Sequence, residues 1–164
     1  MNCVVRFLAM SFQQIRSFIL AGLCTGIVDG TFSSVLAAFF YGSSVSRLFQ
    51  GVASTVLGPS ALSGGANTAA VGIAMHFGVA FGWSFVFLLL ARFPIVQRVL
   101  VSPWGTVKVA GVYGPAIWLV MSLIVIPLLT RKAPAFTIRW AIQLVGHFPF
   151  VGLPIVYTIS RFLK

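Results

Sequence analysis

The sequence predicts an all-α integral membrane protein, with four transmembrane helices and one short interfacial amphipathic helix. The chain is 59% hydrophobic and 7% charged, and its mean hydropathy is +1.05. A soluble domain is about 25% charged, so this composition predicts that a bilayer surrounds most of the chain. The length of 164 residues allows a single helical bundle, and the prediction is one domain over residues 1–164.

Four apolar stretches are long enough to cross a bilayer, which takes about 20 residues in a helix. The first is predicted to be a retained helix, because its apolar run is longer than the about 7–15 residues of a signal peptide. A lipoprotein signal is also disfavoured, since Leu23 stands before Cys24 where a small residue is needed. The predicted spans are residues 17–40, 67–91, 107–129 and 137–160.

The connection after the first span carries a further helical pattern over residues 45–57. Its apolar residues recur at helical spacing, and Gly58-Pro59 marks its end. This pattern predicts a short helix in the membrane interface. It could be a lid or re-entrant segment over a central site, or a connector that lies on the membrane. The apolar positions are Val45, Leu48, Phe49, Val52, Val56 and Leu57.

Eleven basic residues stand against one acidic residue. Nucleic acid is not a predicted partner, because the basic residues are scattered through short connections and the longest run is Arg131-Lys132. The predicted partners are the lipid bilayer and its anionic headgroups. Basic residues concentrate on the side of the termini, which predicts that both termini are cytoplasmic. That side holds Arg6, Arg16, Arg92, Arg98, Lys108, Arg161 and Lys164, and the other holds Arg47, Arg131, Lys132 and Arg139.

Small residues recur every four positions on the first two spans. Such stripes let helices approach closely, which is how helices associate in lipid. The contacts could form within one chain or between copies, so a homo-oligomer or a membrane-protein partner is an open alternative. The glycines of the stripes are Gly22, Gly26 and Gly30 on the first span, and Gly78 and Gly82 on the second.

Three ionisable residues lie deep inside the predicted spans. Asp29, the one acidic residue, His76 and His147 lie at about twelve, ten and eleven residues from the outer ends. These depths are similar and close to the bilayer midplane. Since the first span borders both the second and the fourth in an antiparallel bundle, we expect Asp29 to reach both histidines.

Polar side chains one turn away are predicted to support this cluster. Thr25 and Ser33 lie four residues before and after Asp29, and a hydroxyl can donate a hydrogen bond to a carboxyl group. Gln143 stands four residues before His147 in the same relation. The predicted buried polar cluster therefore comprises Asp29, His76, His147, Thr25, Ser33 and Gln143.

The cluster leaves three functions open. The first is a proton-linked transporter of a small solute or ion, because intramembrane ionisable groups mark such pathways. The second is an accessory or scaffold protein in which the cluster only fixes the helices. The third is a haem or transition-metal protein, with His76, His147 and Asp29 as candidate ligands. No cofactor is predicted, and an enzyme is the least favoured class because no nucleophile elbow or metalloprotease signature is present.

Parts of the sequence resemble a group of small bacterial inner-membrane proteins, the YagU-like proteins. The resemblance implies a multi-pass protein of the inner (plasma) membrane, with histidines in the second and last helices. It implies no reaction, substrate or cofactor. It extends over about residues 47–161 and rests on Gln50-Gly51, Gly64-Gly65, His76-Phe77, "MSLIVIPL" (121–128) and "GHFPFVGLPI" (146–155).

Overall fold

A computed structural model describes residues 11–162, which form helices and connections without any strand. Four of the helical segments are long and apolar enough to cross a membrane, and their ends agree with the predicted spans within about five residues. Arg6, Cys3 and Lys164, which entered the sequence analysis, lie outside the described residues. The four segments are Phe12–Phe40, Gly65–Leu90, Gly105–Thr130 and Ile138–Arg161.

The first segment begins at a capping box. The Ser11 hydroxyl accepts a hydrogen bond from the Gln14 backbone N–H, and the Gln14 side chain accepts one from the Ser11 N–H. Helix α1 (Phe12–Val35) follows and ends in a π-helical segment over Leu36–Phe40.

The predicted short helix is present as α2 (Val45–Leu57), with Ser44 as its N-cap. It packs along the first half of α3 (Gly65–Leu90), and the Phe49 carbonyl lies where a Cβ on Gly72 would be. The residues of α2 that are buried within the described chain are Phe49, Gln50 and Ala53. Gln50 is buried because its side-chain amide donates to the Gly65 carbonyl at 3.0 Å, whereas Val56 and Leu57 are exposed.

The connection after α3 contains a helix that the sequence analysis did not predict, α4 (Pro94–Leu100). Proline at its first position fits a helix start, where no backbone N–H is needed. A turn with Trp104 in the left-handed conformation (φ 60°) then leads into the third segment.

The last two segments are each interrupted by a π-helical turn. The third consists of α5 (Gly105–Val120), a π-helical turn and α6 (Ile126–Thr130). The fourth consists of α7 (Ile138–His147), a π-helical turn and α8 (Leu153–Arg161). Single π-turns inside α-helices occur frequently at functional sites. The two turns are Met121–Val125 and Phe148–Gly152.

The helices form an antiparallel bundle with both described chain ends at one end, which we call the terminal end. Helix α1 contacts α3 on one side and α8 on the other, and α5 contacts α7 and α8. Buried apolar residues fill the half of the bundle nearest the terminal end. This apolar core consists of Ala21, Phe87, Leu88, Ala91, Ala110, Tyr113, Ile117, Val151, Ile155, Val156 and Ile159.

Candidate functional site

Asp29 and His76 face each other across the contact between α1 and α3. The distance from Asp29 Oδ2 to His76 Nδ1 is 4.0 Å, and each side chain is 16% exposed. On its other side, the His76 ring lies 3.0 Å, through Nε2, from the carbonyl of Gly26. The two helices come this close because α1 has glycine at positions 26 and 30, and the ring lies directly over Gly30.

The Gly26 carbonyl determines which His76 nitrogen carries the proton. A carbonyl can only accept, so Nε2 must carry a hydrogen and donate it. In a neutral ring this leaves Nδ1 as an acceptor, facing the carboxyl oxygen of Asp29. Two acceptors repel each other, so the contact is attractive only when one further proton lies on Asp29 or on the ring. At 4.0 Å the two atoms are beyond hydrogen-bond distance, so a proton could bridge them only after a small closer approach.

His147 is the last residue of α7, directly before the π-helical turn that contacts α1. Its Nδ1–H donates to the Gln143 carbonyl at 2.7 Å, and its ring centroid is 4.9 Å from that of Trp118. His147 is close enough to interact electrostatically with both Asp29 and His76. The three ionisable residues singled out in the sequence are thus together in the structure.

The supporting hydrogen bonds differ from the predicted ones. Thr25 Oγ1 and Asp29 Oδ1 are buried and have no hydrogen-bond partner in the described part of the chain. Ser33 is half-buried, and no hydrogen bond joins its hydroxyl to Asp29. Gln143 does contact His147, but through its backbone carbonyl and not through its side-chain amide. Backbone carbonyls therefore position both histidines, which side-chain spacing alone does not reveal.

Further buried polar atoms surround the three residues and extend away from the terminal end. Buried polar groups usually have a protein or water partner, so these atoms are positions where ordered water or a polar solute would bind. Trp118 and Trp140 were missed in the sequence, although Trp118 follows the Gly114-Pro115 interruption by one turn. The atoms without a partner within residues 11–162 are Thr25 Oγ1, Asp29 Oδ1, Tyr41 OH, Trp118 Nε1, Ser122 Oγ and Trp140 Nε1.

Helix α2 covers His76 on the side away from the terminal end. The Phe49 ring is buried, and its centroid lies 5.9 Å from that of His76. A groove of about 380 Å³ runs beside His76 between α1, α2 and α3. Its lining includes Gly26, Ser34, Val45, Phe49 and Phe77. One side of the His76 ring is thus next to open space.

The two glycine stripes have different surroundings. A Cβ on Gly22 or Gly26 would overlap the rings of Phe81 and Phe77, so the first stripe holds α3 within the same chain. At Gly78 and Gly82 an added Cβ would meet no atom within 4 Å in the described chain. The second stripe therefore faces outward from the bundle.

The histidines also limit how a metal or haem could be held. The ring nitrogens that do not contact a carbonyl are Nδ1 of His76 and Nε2 of His147, so these are the possible ligand atoms. Within residues 11–162, no three His, Cys, Asp or Glu side chains are grouped so that they could hold a metal ion.

Comparisons with protein-family models, with curated proteins and with solved structures find no match to this chain.

Proposed function

We propose that this chain is a multi-pass protein of the bacterial inner membrane that moves a small solute or ion together with protons, through a site formed by Asp29, His76 and His147. Four helices long and apolar enough to span a bilayer support the membrane location. The excess of basic residues at the terminal end supports cytoplasmic termini.

One observation carries the proposal, namely the contact between Asp29 and a histidine whose other nitrogen donates to Gly26. In this proposal a proton passes between the Asp29 carboxyl and His76 Nδ1 when the two groups, 4.0 Å apart here, move into hydrogen-bond distance. A histidine has an unperturbed pKa of about 6.5, which makes it suited to exchanging protons near neutral pH. An ionisable group in the membrane costs about 2.5–3.5 kcal/mol on insertion scales, and a proton-transfer role accounts for keeping two of them in contact.

The distribution of buried polar atoms suggests how the site would be reached. The unpartnered hydroxyl and indole groups lie around the site and on the side away from the terminal end. On the terminal side, the apolar core closes the bundle. Water or solute would therefore enter from the far end in this conformation, and passage across would need the helices around the apolar core to separate. The π-helical turns next to His147 and after Trp118 are the places where such bending costs least.

Helix α2 is proposed to act as a lid on this entrance, which was one of the two interpretations of the sequence. Phe49 on α2 packs against His76, and the helix is held by the Gln50 hydrogen bond to Gly65. Movement of this short helix would expose the ring that exchanges the proton.

The test is proton movement in lipid vesicles that contain the purified protein and a pH-sensitive dye. Asp29→Asn removes the acidic group while it keeps the size of the side chain, and we expect proton flux to fall at least about tenfold. Ser33→Ala is the matched control, because Ser33 lies one turn away without a hydrogen bond to Asp29, and flux should be unchanged. Equal proton flux in wild type and Asp29→Asn would contradict the proposal.

A second function, a scaffold protein, is favoured by a different observation. The first glycine stripe brings α1 and α3 into close contact within the chain, and the polar residues sit at that same contact. In this case Asp29 and His76 would only fix the relative position of the two helices. Asp29→Asn would then lower the thermal stability of the protein, and neither wild type nor variant would carry protons.

A further inference from the structure

A second cavity lies at the terminal end of the bundle, far from Asp29. Its volume is about 580 Å³, which is within the range of small-molecule sites. It is bounded by α4, by the first turn of α5 and by the last turn of α8. The lining residues are Gln97, Leu100, Val101, Thr106, Tyr157, Ser160 and Arg161.

The polar side chains of this cavity are mainly hydrogen-bond donors. The Arg161 guanidinium carbon lies 4.8 Å from the centroid of the Tyr157 ring, which keeps the charged group at the cavity wall. The Gln97 amide donates one hydrogen to the Ala91 carbonyl at 3.2 Å, and its second hydrogen remains for a ligand. Thr106 and Tyr157 add hydroxyl groups. A cationic fork with several neutral donors suits an anion with several oxygens.

The chain offers no acidic side chain to neutralise Arg161. Asp29 is the one acidic residue in the sequence, and it contacts His76 in the middle of the bundle. Other cations share the terminal end with Arg161, including Arg98 on α4 and Lys108 on α5. Apart from Asp29, no side chain of the sequence can supply an anion here, and an anion from outside would reduce repulsion among these cations.

We propose that this cavity binds a phosphate group, and that Arg161 and Gln97 are its principal ligands. The phosphate could belong to the headgroup of an anionic lipid or to a soluble phosphate compound. Exposed apolar residues at the cavity edge favour the lipid, because Val101 and Trp104 are each 78% exposed and would lie among lipid chains. The lipid source rests on the proposed membrane location, whereas the phosphate site itself does not.

The experiment is a binding titration of the full chain in neutral detergent by native mass spectrometry, with thermal unfolding as a second readout. The probes are phosphatidylglycerol, phosphatidylcholine and inorganic phosphate. Arg161→Ala removes the charge, and Gln97→Leu removes the neutral donor at constant net charge. Lys132→Ala is the control, because it removes one exposed positive charge at the opposite end.

We expect wild type to bind phosphatidylglycerol more tightly than phosphatidylcholine, and Arg161→Ala to weaken this binding about tenfold. Gln97→Leu should weaken it about threefold, and Lys132→Ala should leave it within twofold. If inorganic phosphate displaces the lipid and raises the unfolding temperature, the natural ligand is a soluble phosphate. If inorganic phosphate does neither, the natural ligand is the lipid headgroup.

Two results would overturn the proposal. One is equal loss of lipid binding in Arg161→Ala and Lys132→Ala, which would mean that only net charge matters. The other is unchanged binding in both Arg161→Ala and Gln97→Leu. The outcome is separable from that of the transport proposal, because Asp29→Asn leaves the cavity intact and should bind phosphatidylglycerol as wild type does.

Discussion

The two halves of the bundle differ in whether their buried polar groups have hydrogen-bond partners in the described chain. In the half at the terminal end, buried hydroxyls donate to backbone carbonyls, as Ser84 does to Ala80 at 2.8 Å and Tyr113 does to Trp83 at 2.6 Å. In the other half, the buried hydroxyl of Ser122 and the indole N–H of Trp118 have no partner in the described chain.

The difference fits the proposed route, in which the terminal half is closed and the other half admits the ligand. In the terminal half, the buried hydroxyls already have hydrogen-bond partners and large apolar side chains fill the interior, so water would find no polar group to bind. A half with unpartnered donors and acceptors around Asp29 favours water or a polar solute. In the proposed transport route, the apolar core is the barrier that is closed in this conformation, and the binding site lies beyond it. The predictions that follow test this contrast, from the largest expected effect to the smallest.

The largest effect is expected at Gly114, where α5 contacts the His147 turn. A Cβ there would overlap the His147 carbonyl, and a backbone atom cannot rotate away. Gly114→Ala should destabilise the protein by about 3 kcal/mol, measured by thermal unfolding in detergent. Gly111→Ala in the same helix is the control, since its Cβ would be 4.0 Å from the Phe148 ring. Similar unfolding temperatures for the two variants would show that His147 is not held in this way.

The next effect concerns the apolar core. Leu88 is 0% exposed, whereas Leu90 two residues later is 37% exposed. In a bilayer or detergent, the leucine side chain has apolar surroundings in the folded and in the unfolded protein. A change to alanine therefore lowers the free energy of unfolding only through lost packing contacts. Leu88→Ala should cost about 1–2 kcal/mol. Leu90→Ala should have little effect on the unfolding temperature, and an equal loss for both would contradict the position of the core.

The smallest effect on stability is expected at Thr25. Thr25→Val keeps the shape and removes a buried hydroxyl without a partner, so stability should change by less than about 0.5 kcal/mol. Proton flux in vesicles should nevertheless fall, because the Thr25 hydroxyl, unlike that of the half-buried Ser33, is buried without a partner and could hold a water that carries the proton to Asp29. Ser84→Ala is the comparison in the other half, where the hydroxyl bonds to its own helix and flux should stay at the wild-type level. A fall in flux for Ser84→Ala but not for Thr25→Val would reverse the assignment of the two halves.

Most of the fold could be predicted from the sequence, because helix length and hydropathy determine it. The predicted short helix over residues 45–57 agrees with α2 (Val45–Leu57). The apolar pattern of α2 does not show that the polar Gln50 would be buried against α3 with a hydrogen bond to the Gly65 carbonyl. Helix α4 was missed, since its seven residues are too few for a clear periodic pattern.

The site could be predicted only in part. Matching depths in antiparallel helices were enough to place Asp29, His76 and His147 near one another. The hydrogen bonds of the two histidines could not be predicted, because their partners are the carbonyls of Gly26 and Gln143, which every residue type provides. The π-helical turns in the third and fourth spans could not be predicted either, because residues in a π-turn follow the same apolar pattern as the α-helix around them.

The most direct test of the account is the protonation of the two histidines, by nitrogen-15 NMR of histidine-labelled protein. The chain holds two histidines, so His147→Asn assigns both. In the neutral state, the account predicts that His76 carries its proton on Nε2 and His147 on Nδ1. It also predicts that Asp29→Asn changes the Nδ1 resonance of His76. A proton on Nδ1 of neutral His76, or an Nδ1 resonance indifferent to Asp29, would contradict the shared proton on which the proposed function depends.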